Sequence, residues 1–354
     1  MNIPPSRLKA AVIGCGAIAY EHLPFLSQSP LVELVAVCDR SNAAASFAQT
    51  RFHAAGSFTD HMAMLADAGP DVVHVLTPPH THVPIARDCL EAGAHVICEK
   101  PMASTADETS SLLDYAAKRA RLLVESRNYL FNDQVMEAEK IIESGRLGEV
   151  REIDLILSLD FLSGPFGDLN LAGPGVDLPA GAVHDFLPHL AYLFLVFAGH
   201  AGEVDDVQGR LANLSDNSRA GFDHLDALIV AGDVRGRIRI TSDVGPDSFR
   251  VYLRGTEASL ETDLFNPFLR FDGPPNVGKR SFIGQMGNGF SLVRAGARNF
   301  RNKVTQHGTY HGMPRMLEAI YRSLAGSTEP PFTREQMIDT ARLVDRLVAL
   351  KVAR

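Results

Sequence analysis

Up to Val150 the chain alternates short apolar runs with segments whose apolar residues recur every third or fourth position. Leu8–Gly14, Leu31–Asp39, Asp71–Thr77, His95–Cys98 and Arg121–Glu125 read as strands, with a shorter one near Ser57. Between them Ala17–Ser29, Asn42–Ala54, Asp60–Asp67, Val83–Ala92 and Thr105–Arg119 read as helices. The fourth stops at Gly93, a residue suited to the left-handed turn that ends a helix. A continuous apolar run such as Asp71–Thr77 is what a strand covered on both faces requires. This alternation predicts an α/β domain with a parallel, doubly wound sheet.

From Val150 the pattern changes. Glu152–Leu159 partly alternates, Arg237-Ile238-Arg239-Ile240-Thr241 alternates cleanly, and Leu225–Ala231, Arg235–Thr241, Phe249–Arg254 and Ala258–Thr262 read as further strands. Such segments predict an α+β region with a large, mostly antiparallel open sheet, wetter on one face. Helices at Ala182–Phe197, Met313–Leu324 and Arg334–Leu350 pack on this sheet or back on the first domain. The expected division is residues 1–128 and 129–354. Ser163–Pro179, rich in Gly, Pro and Asp, is expected to be a loop beside the site.

A length of 354 residues suits two domains, and a chain 45% hydrophobic and 21% charged suits a globular protein. The net charge of −8 argues against a general nucleic-acid binder, which works by neutralising phosphates. There is no apolar stretch of membrane-spanning length, and Met1-Asn2-Ile3-Pro4-Pro5 lacks a signal peptide's charged start and apolar core, so a cytoplasmic protein is expected. Cys15, Cys38, Cys89 and Cys98 form no C-x-x-C pair and read as buried free thiols.

The first strand ends in Gly14-Cys15-Gly16-Ala17-Ile18-Ala19, and a helix begins at once. Gly14 permits a tight turn, Gly16 a close backbone approach to a pyrophosphate, and the small Ala19 close helix–strand packing. The amides at the helix start favour an anion. The second strand ends in Asp39, about where a dinucleotide-binding unit carries the acid that accepts from a ribose 2′-hydroxyl. That charge favours NAD. The adjoining Arg40 leaves NADP open, since an arginine there can stack on adenine or meet a 2′-phosphate.

Glu99-Lys100-Pro101 follows the strand ending at Cys98, beyond the carboxyl ends of the strands, where open α/β sheets bind ligands. There the Lys100 ammonium can hold a substrate oxygen and stabilise developing alkoxide charge. Asp185 and His189, four apart, share one helix face and make a candidate proton donor–acceptor pair. Pro188 fits this if the helix begins near Asp185. A metal site with His184 and Asp177 is disfavoured, because His184 and His189 face different ways, and none is expected. Asn128 and Tyr129, after the strand ending near Glu125, either line the substrate cavity or form a surface turn.

Together these features resemble the glucose–fructose oxidoreductase, inositol dehydrogenase and MocA (Gfo/Idh/MocA) family of nicotinamide-dependent oxidoreductases, over nearly the whole chain. Gly14-x-Gly16-x-x-Ala19-x-x-His22 is similar to its opening. Thr77-Pro78-Pro79-x-x-His82 is similar to the loop after its fourth strand, and Pro330-Pro331-Phe332-Thr333 to the approach to its last helix. Glu99-Lys100-Pro101 is similar to its signature and Asp185-x-x-x-His189 to its catalytic segment. The resemblance implies a Rossmann domain followed by an α+β substrate domain, with Lys100 and His189 catalytic and Asp185 orienting His189 or relaying a proton. It also implies cofactor contacts at Gly14, Gly16, Ala17, Ile18, Ala19, Asp39, Arg40, Thr77, Pro78, Pro79, His82, Glu99 and Lys100, and a homo-dimer or tetramer. Where the family usually carries Gly-Gly-Gly before the Asp, a Gly two residues after it and a second Asp beyond the His, this chain has Pro179-Ala180-Gly181, Leu187 and Tyr192. The missing acid means either a different substrate contact or lost activity.

A basic stretch interrupts the acidic chain: Lys279, Arg280, Arg294, Arg298, Arg301 and Lys303, interleaved with Phe290, Leu292, Val293, Phe300 and Val304. It reads as a solvated charged face, a site for substrate phosphates or a membrane-surface patch. His307, Tyr310 and His311 are near enough in sequence to reach a substrate pocket, and His184 and Tyr192 join them as candidate substrate contacts. The expected activity is hydride transfer between nicotinamide and a hydroxyl or keto carbon of a sugar, cyclitol or nucleotide sugar. The alternatives are an NAD-dependent glycosidase or epimerase without net redox change, and a dinucleotide-binding regulator without turnover.

Overall fold

The computed structural model describes residues 7–160, 178–199, 204–214, 221–273, 280–305 and 311–352. The chain divides into two compact units, Met1–Asn128 with Gly308–Ala341, and Tyr129–His307 with Arg342–Arg354.

In the first unit, strands β1 (Leu8–Ile13), β2 (Val32–Cys38), β3 (Gly56–Phe58), β4 (Val72–Val75), β5 (His95–Cys98) and β6 (Leu123–Glu125) form one sheet in the order β3-β2-β1-β4-β5-β6. Every neighbouring pair is parallel. Helices α1 (Ala19–Gln28), α2 (Asn42–Phe52), α3 (His61–Ala68), α4 (His82–Glu91) and α5 (Ala106–Lys118) make the crossovers. The order reverses between β1 and β4, so the strand ends there open a crevice. β4 is buried along its whole length, as its unbroken apolar run requires. Ser41, Asp60 and Thr105 cap α2, α3 and α5 by accepting from backbone amides of the first turn. By contrast, α1 starts at Ile18 without a side-chain cap. The amides of Ala19, Tyr20 and Glu21 instead close tight turns onto the carbonyls of Gly16, Ala17 and Ile18.

The second unit contains α6 (Asp133–Glu143), β7 (Val150–Ser158), α7 (Gly181–Phe197), β8 (Asp206–Ala212), β9 (His224–Ala231), β10 (Val234–Thr241), β11 (Ser248–Gly255), β12 (Ser259–Asp263), β13 (Arg270–Asp272) and α8 (Arg280–Thr305). After α9 (Met313–Leu324) and α10 (Arg334–Val348), the short β14 (Lys351–Val352) completes a sheet ordered β13-β12-β11-β7-β10-β9-β8-β14. Its pairs are antiparallel except β7 with β10 and β8 with β14. On β9, Leu225, Ala227, Ile229 and Ala231 are buried while Leu228 and Val230 are exposed, the two-faced pattern of an open sheet. α7 packs on the covered face, with Leu187, Leu190, Ala191, Leu193 and Phe194 fully buried. Each such side chain contributes roughly 1.5–3 kcal/mol of transfer free energy.

Two expectations change. α7 spans Gly181–Phe197, matching the expected helix Ala182–Phe197, but the start near Asp185 that would accommodate Pro188 is not found: Pro188 lies inside the helix and removes the hydrogen bond that would reach the His184 carbonyl. Burial of nearly the whole helix surface offsets that loss. The stretch around Arg294 is a long helix, α8, to which the sequence analysis assigned no element. Gly284, Gly287, Gly289 and Gly296 lower its intrinsic propensity, and tertiary contacts hold it instead. The expected loop Ser163–Pro179 lies almost wholly outside the described residues.

Candidate active site

The carboxyl ends of β1, β2, β4, β5 and β6 bring most of the first unit's candidate residues to one edge of the sheet. Gly14 has φ 96°, and a Cβ there would stand 2.6 Å from the Leu76 carbonyl oxygen, so the turn both needs the left-handed region and packs on the end of β4. Gly16 is different. A Cβ there would meet nothing within 4 Å, which makes the turn a cradle that a side chain would fill. Ala17 is exposed, Ile18 half-buried and Ala19 buried against the sheet. At the end of β2, Asp39 accepts from Cys15 N through Oδ2 and from Ser41 N through Oδ1, both at 2.8 Å. These bonds fix the carboxylate beside the turn, and Arg40 next to it is exposed. The glycine turn at the start of α1, its open side at Gly16 and a fixed acid together fit a dinucleotide's pyrophosphate and ribose.

After β4, Thr77 and Pro78 lead into a short 3-10 helix, Pro79–Thr81. The buried His82 ring bridges two loops, with Nδ1 2.8 Å from the Pro101 carbonyl and Nε2 2.7 Å from the Thr77 carbonyl. Burial lowers the His82 pKa, against the two carbonyls, which favour its N–H groups.

The half-buried Lys100 sits in a turn held from both sides. Glu99 Oε2 accepts from Lys100 N at 3.3 Å and Glu125 Oε1 from Met102 N at 3.0 Å. Glu125 is itself ion-paired with the buried Arg127, whose guanidinium also donates to the Gln336 carbonyl and lies over the Phe332 ring. The Lys100–Pro101 peptide is cis.

Behind this turn runs a buried chain that sequence reasoning missed. Glu99 Oε1 lies 3.1 Å from His22 Nε2, His22 Nδ1 2.9 Å from His74 Nδ1, and His74 Nε2 2.9 Å from Tyr321 Oη. Burial, then the neighbouring His22, lowers the His74 pKa well below its ordinary value, and burial raises that of Tyr321. Burial alone would raise the Glu99 pKa, but the His22 hydrogen bond and charge, the Lys100 charge and a Ser126 hydrogen bond outweigh it and hold it at about 2. These contacts form one continuous hydrogen-bonded chain from Tyr321 Oη through the two rings to the Glu99 carboxylate. The missed signal was His74 itself, a polar ring in the apolar run Val72-Val73-His74-Val75, which burial obliges to find partners.

Asn128 follows β6 and is 3% exposed, and its Nδ2 has no hydrogen-bond partner among the described residues.

In the second unit, His184, Asp185, His189 and Tyr192 all lie buried on α7. His189 Nδ1 is 2.8 Å from Tyr192 Oη, so a phenol engages the imidazole from the position where the family resemblance leads one to expect an acid. The Tyr129 ring packs edge-on against His189 at 4.8 Å between centroids and against Phe249 at 5.3 Å. His311 is exposed, while Asp177, Lys279, His307 and Tyr310 lie outside the described residues. All four cysteines are free and buried, and burial pushes each thiol's pKa up, which makes them poor nucleophiles. Among the described residues no group of three or more His, Cys, Asp or Glu is placed to hold a metal ion.

The first unit is thus a dinucleotide-binding α/β domain by its sheet order, glycine turn and acid. Residues 8–126 match the model of the Gfo/Idh/MocA oxidoreductase family, NAD-binding Rossmann fold. An uncharacterised oxidoreductase of Schizosaccharomyces pombe is 36% identical over 155 residues, 43% of this chain and 42% of that protein. The D-glucoside 3-dehydrogenase of Escherichia coli K12 is 34% identical over 146 residues, 41% of this chain and 42% of the enzyme. The chain spans about half the length of such relatives. The WlbA dehydrogenase of Bordetella pertussis, crystallised with NADH and UDP-GlcNAcA, shares the fold with a TM-score of 0.79 at 18% identity, over 98% of this chain and 95% of that one. The 3-ketoreductase KijD10 of Actinomadura kijaniata, crystallised with NADP, shares it at 0.74 and 20%, over 98% and 99%.

Proposed function

We propose that the protein is a nicotinamide-dependent oxidoreductase acting on a hydroxyl or keto carbon of a sugar, cyclitol or nucleotide sugar. The observation that carries this reading is the gathering of the Gly14–Ala19 turn, Asp39, Thr77 and Lys100 at one edge of a sheet whose sequence matches the model of an NAD-binding family. The dinucleotide would be held by the backbone of the Gly14–Ala19 turn, the open side of that turn at Gly16 and Asp39, and would supply the hydride acceptor or donor. Lys100, fixed by Glu99 and Glu125, holds the substrate oxygen and stabilises its developing negative charge. His189 takes or returns the hydroxyl proton at Nε2, with Tyr192 on Nδ1 setting the ring's orientation and tautomer. Asp185, one turn earlier on the same helix, supports His189, and Asn128 Nδ2 donates to the ligand.

NAD is the preferred cofactor in this reading, because the fixed Asp39 carboxylate accepts from a 2′-hydroxyl and repels a 2′-phosphate. Cytoplasmic residence and a homo-oligomer belong to the same proposal, to be checked by fractionation and light scattering. Turnover is tested by presenting sugars, cyclitols and nucleotide sugars with NAD and with NADP while following absorbance of the reduced nicotinamide. The reading requires at least one compound to drive net reduction or oxidation, with NAD the better partner. Tightly bound cofactor that no compound consumes would favour a non-redox role instead.

A further inference from the structure

α8 is mounted with its polar side inward. Asn288 Nδ2 donates to the Phe271 carbonyl at 3.2 Å and to Asp272 Oδ1 at 2.9 Å, and Asn288 Oδ1 accepts from Phe271 N. Ser291 Oγ donates to the Leu269 carbonyl and Asn299 Nδ2 to the Pro267 carbonyl. With the buried Ala295, these residues form the stripe that docks on β13 and the segment before it. Phe282, Met286, Phe290, Val293, Ala297 and Phe300 follow one another every third or fourth residue, which places them on one face, opposite that stripe. They are exposed, the four largest figures being 73% at Phe300, 72% at Val293, 69% at Phe290 and 65% at Phe282. A helix of about 39 Å that docks by its amides and offers its phenylalanines outward lacks the usual reason for its apolar positions.

Charge says what covers that face. Between Asp272 and Glu318 the sequence has no acidic residue, although the whole chain carries −8. Arg294, Arg298 and Arg301 are exposed along one flank of the apolar face. Arginines bordering an apolar stripe suit a surface with anionic headgroups above hydrocarbon, since their stems lie along the apolar layer and their guanidinium groups meet phosphate. A second copy fits less well, because antiparallel self-pairing would set these arginines against their equivalents with no acid between them.

We propose that α8 lies in the surface of an anionic lipid bilayer, with Phe282, Phe290, Val293 and Phe300 in the headgroup–acyl boundary, and holds the protein there as a peripheral, salt-sensitive attachment. No described helix is long and apolar enough to cross a membrane, so α8 rests on the bilayer rather than spanning it.

The test is flotation of the full chain with vesicles of phosphatidylcholine alone and of phosphatidylcholine mixed with phosphatidylglycerol. The protein is expected to float with the mixed vesicles at low salt, more weakly at high salt, and little with phosphatidylcholine alone. Replacing Arg294, Arg298 and Arg301 together by Ala should lower binding about a hundredfold, at about fivefold per arginine. Phe290→Ser with Val293→Ser should lower it by about tenfold or more, with thermal midpoint and turnover unchanged because both side chains are exposed. Absence of binding to the mixed vesicles overturns the proposal, as does equal binding to both kinds. It is equally overturned if the chain fails to float but is a dimer that Phe290→Ser dissociates, since the face then belongs to a second copy.

Discussion

The two glycines of the β1–α1 turn separate folding from ligand binding, and alanine at each should reveal which is which. At Gly14 an alanine must hold a positive φ, at a cost of about 1–2 kcal/mol. It must also place Cβ 2.6 Å from the Leu76 carbonyl oxygen, a backbone atom that cannot rotate away. Overpacking against such an atom costs roughly another 1–3 kcal/mol. Gly14→Ala should therefore destabilise the first unit by about 3 kcal/mol, a fall in thermal midpoint of roughly 10 °C. Gly16→Ala meets nothing within 4 Å and should leave the midpoint unchanged. Its methyl group would instead stand in the cradle, weakening NADH binding by roughly tenfold to a hundredfold, or about 1.4–2.8 kcal/mol. Differential scanning calorimetry and titration of NADH fluorescence on the same preparations read the two effects separately. The reasoning is refuted if Gly16→Ala melts early, or if it binds NADH as tightly as the parent chain.

Glu99→Gln should lower stability at neutral pH by on the order of 3 kcal/mol, since the carboxyl is held at about 2 against an ordinary 4.5. A depressed carboxyl stabilises above its unfolded pKa and loses that contribution as pH falls toward its folded one. Urea midpoints should thus show the gap between the two proteins closing below about pH 4.5, and a gap independent of pH would contradict the assignment. Tyr192→Phe keeps the packing of α7 but removes the hydroxyl on His189 Nδ1. It should cut kcat by about ten- to a hundredfold with KM little changed, the effect of roughly 1–3 kcal/mol on a proton-transfer group, and unchanged kcat would remove Tyr192 from the mechanism.

Much of the first unit could be read from the chain because local and global signals agree there. Its strands are mostly apolar runs, three of its five crossover helices carry Ser, Asp or Thr caps, and of the two left uncapped, α1 and α4, the first follows the glycine turn. Gly14, Asp39 and Lys100 were legible because their places at strand ends follow from the α/β pattern alone. The Glu99–His22–His74–Tyr321 chain was not, because Tyr321 lies far along the sequence and no local spacing ties it to His74. In the second unit, α8 was not assigned because four glycines and the basic residues mask its helical spacing, and its apolar positions face outward while it packs by Asn288, Ser291 and Asn299. The extent of α7 was legible from Ala182–Phe197, but its interior Pro188 was not expected to sit within the helix, and burial along α7 overrides proline's preference for a helix boundary.

The account rests most heavily on Lys100 as the group that holds the reacting oxygen while the glycine turn holds the cofactor. The most direct measurement compares Lys100→Ala with the parent chain, for NADH affinity and for kcat on a substrate from the panel. The expected result is an affinity within about threefold and a kcat lower by about a thousandfold or more, as when a preorganised electrostatic contact is lost. Near-normal turnover by Lys100→Ala, with cofactor still bound, would contradict it.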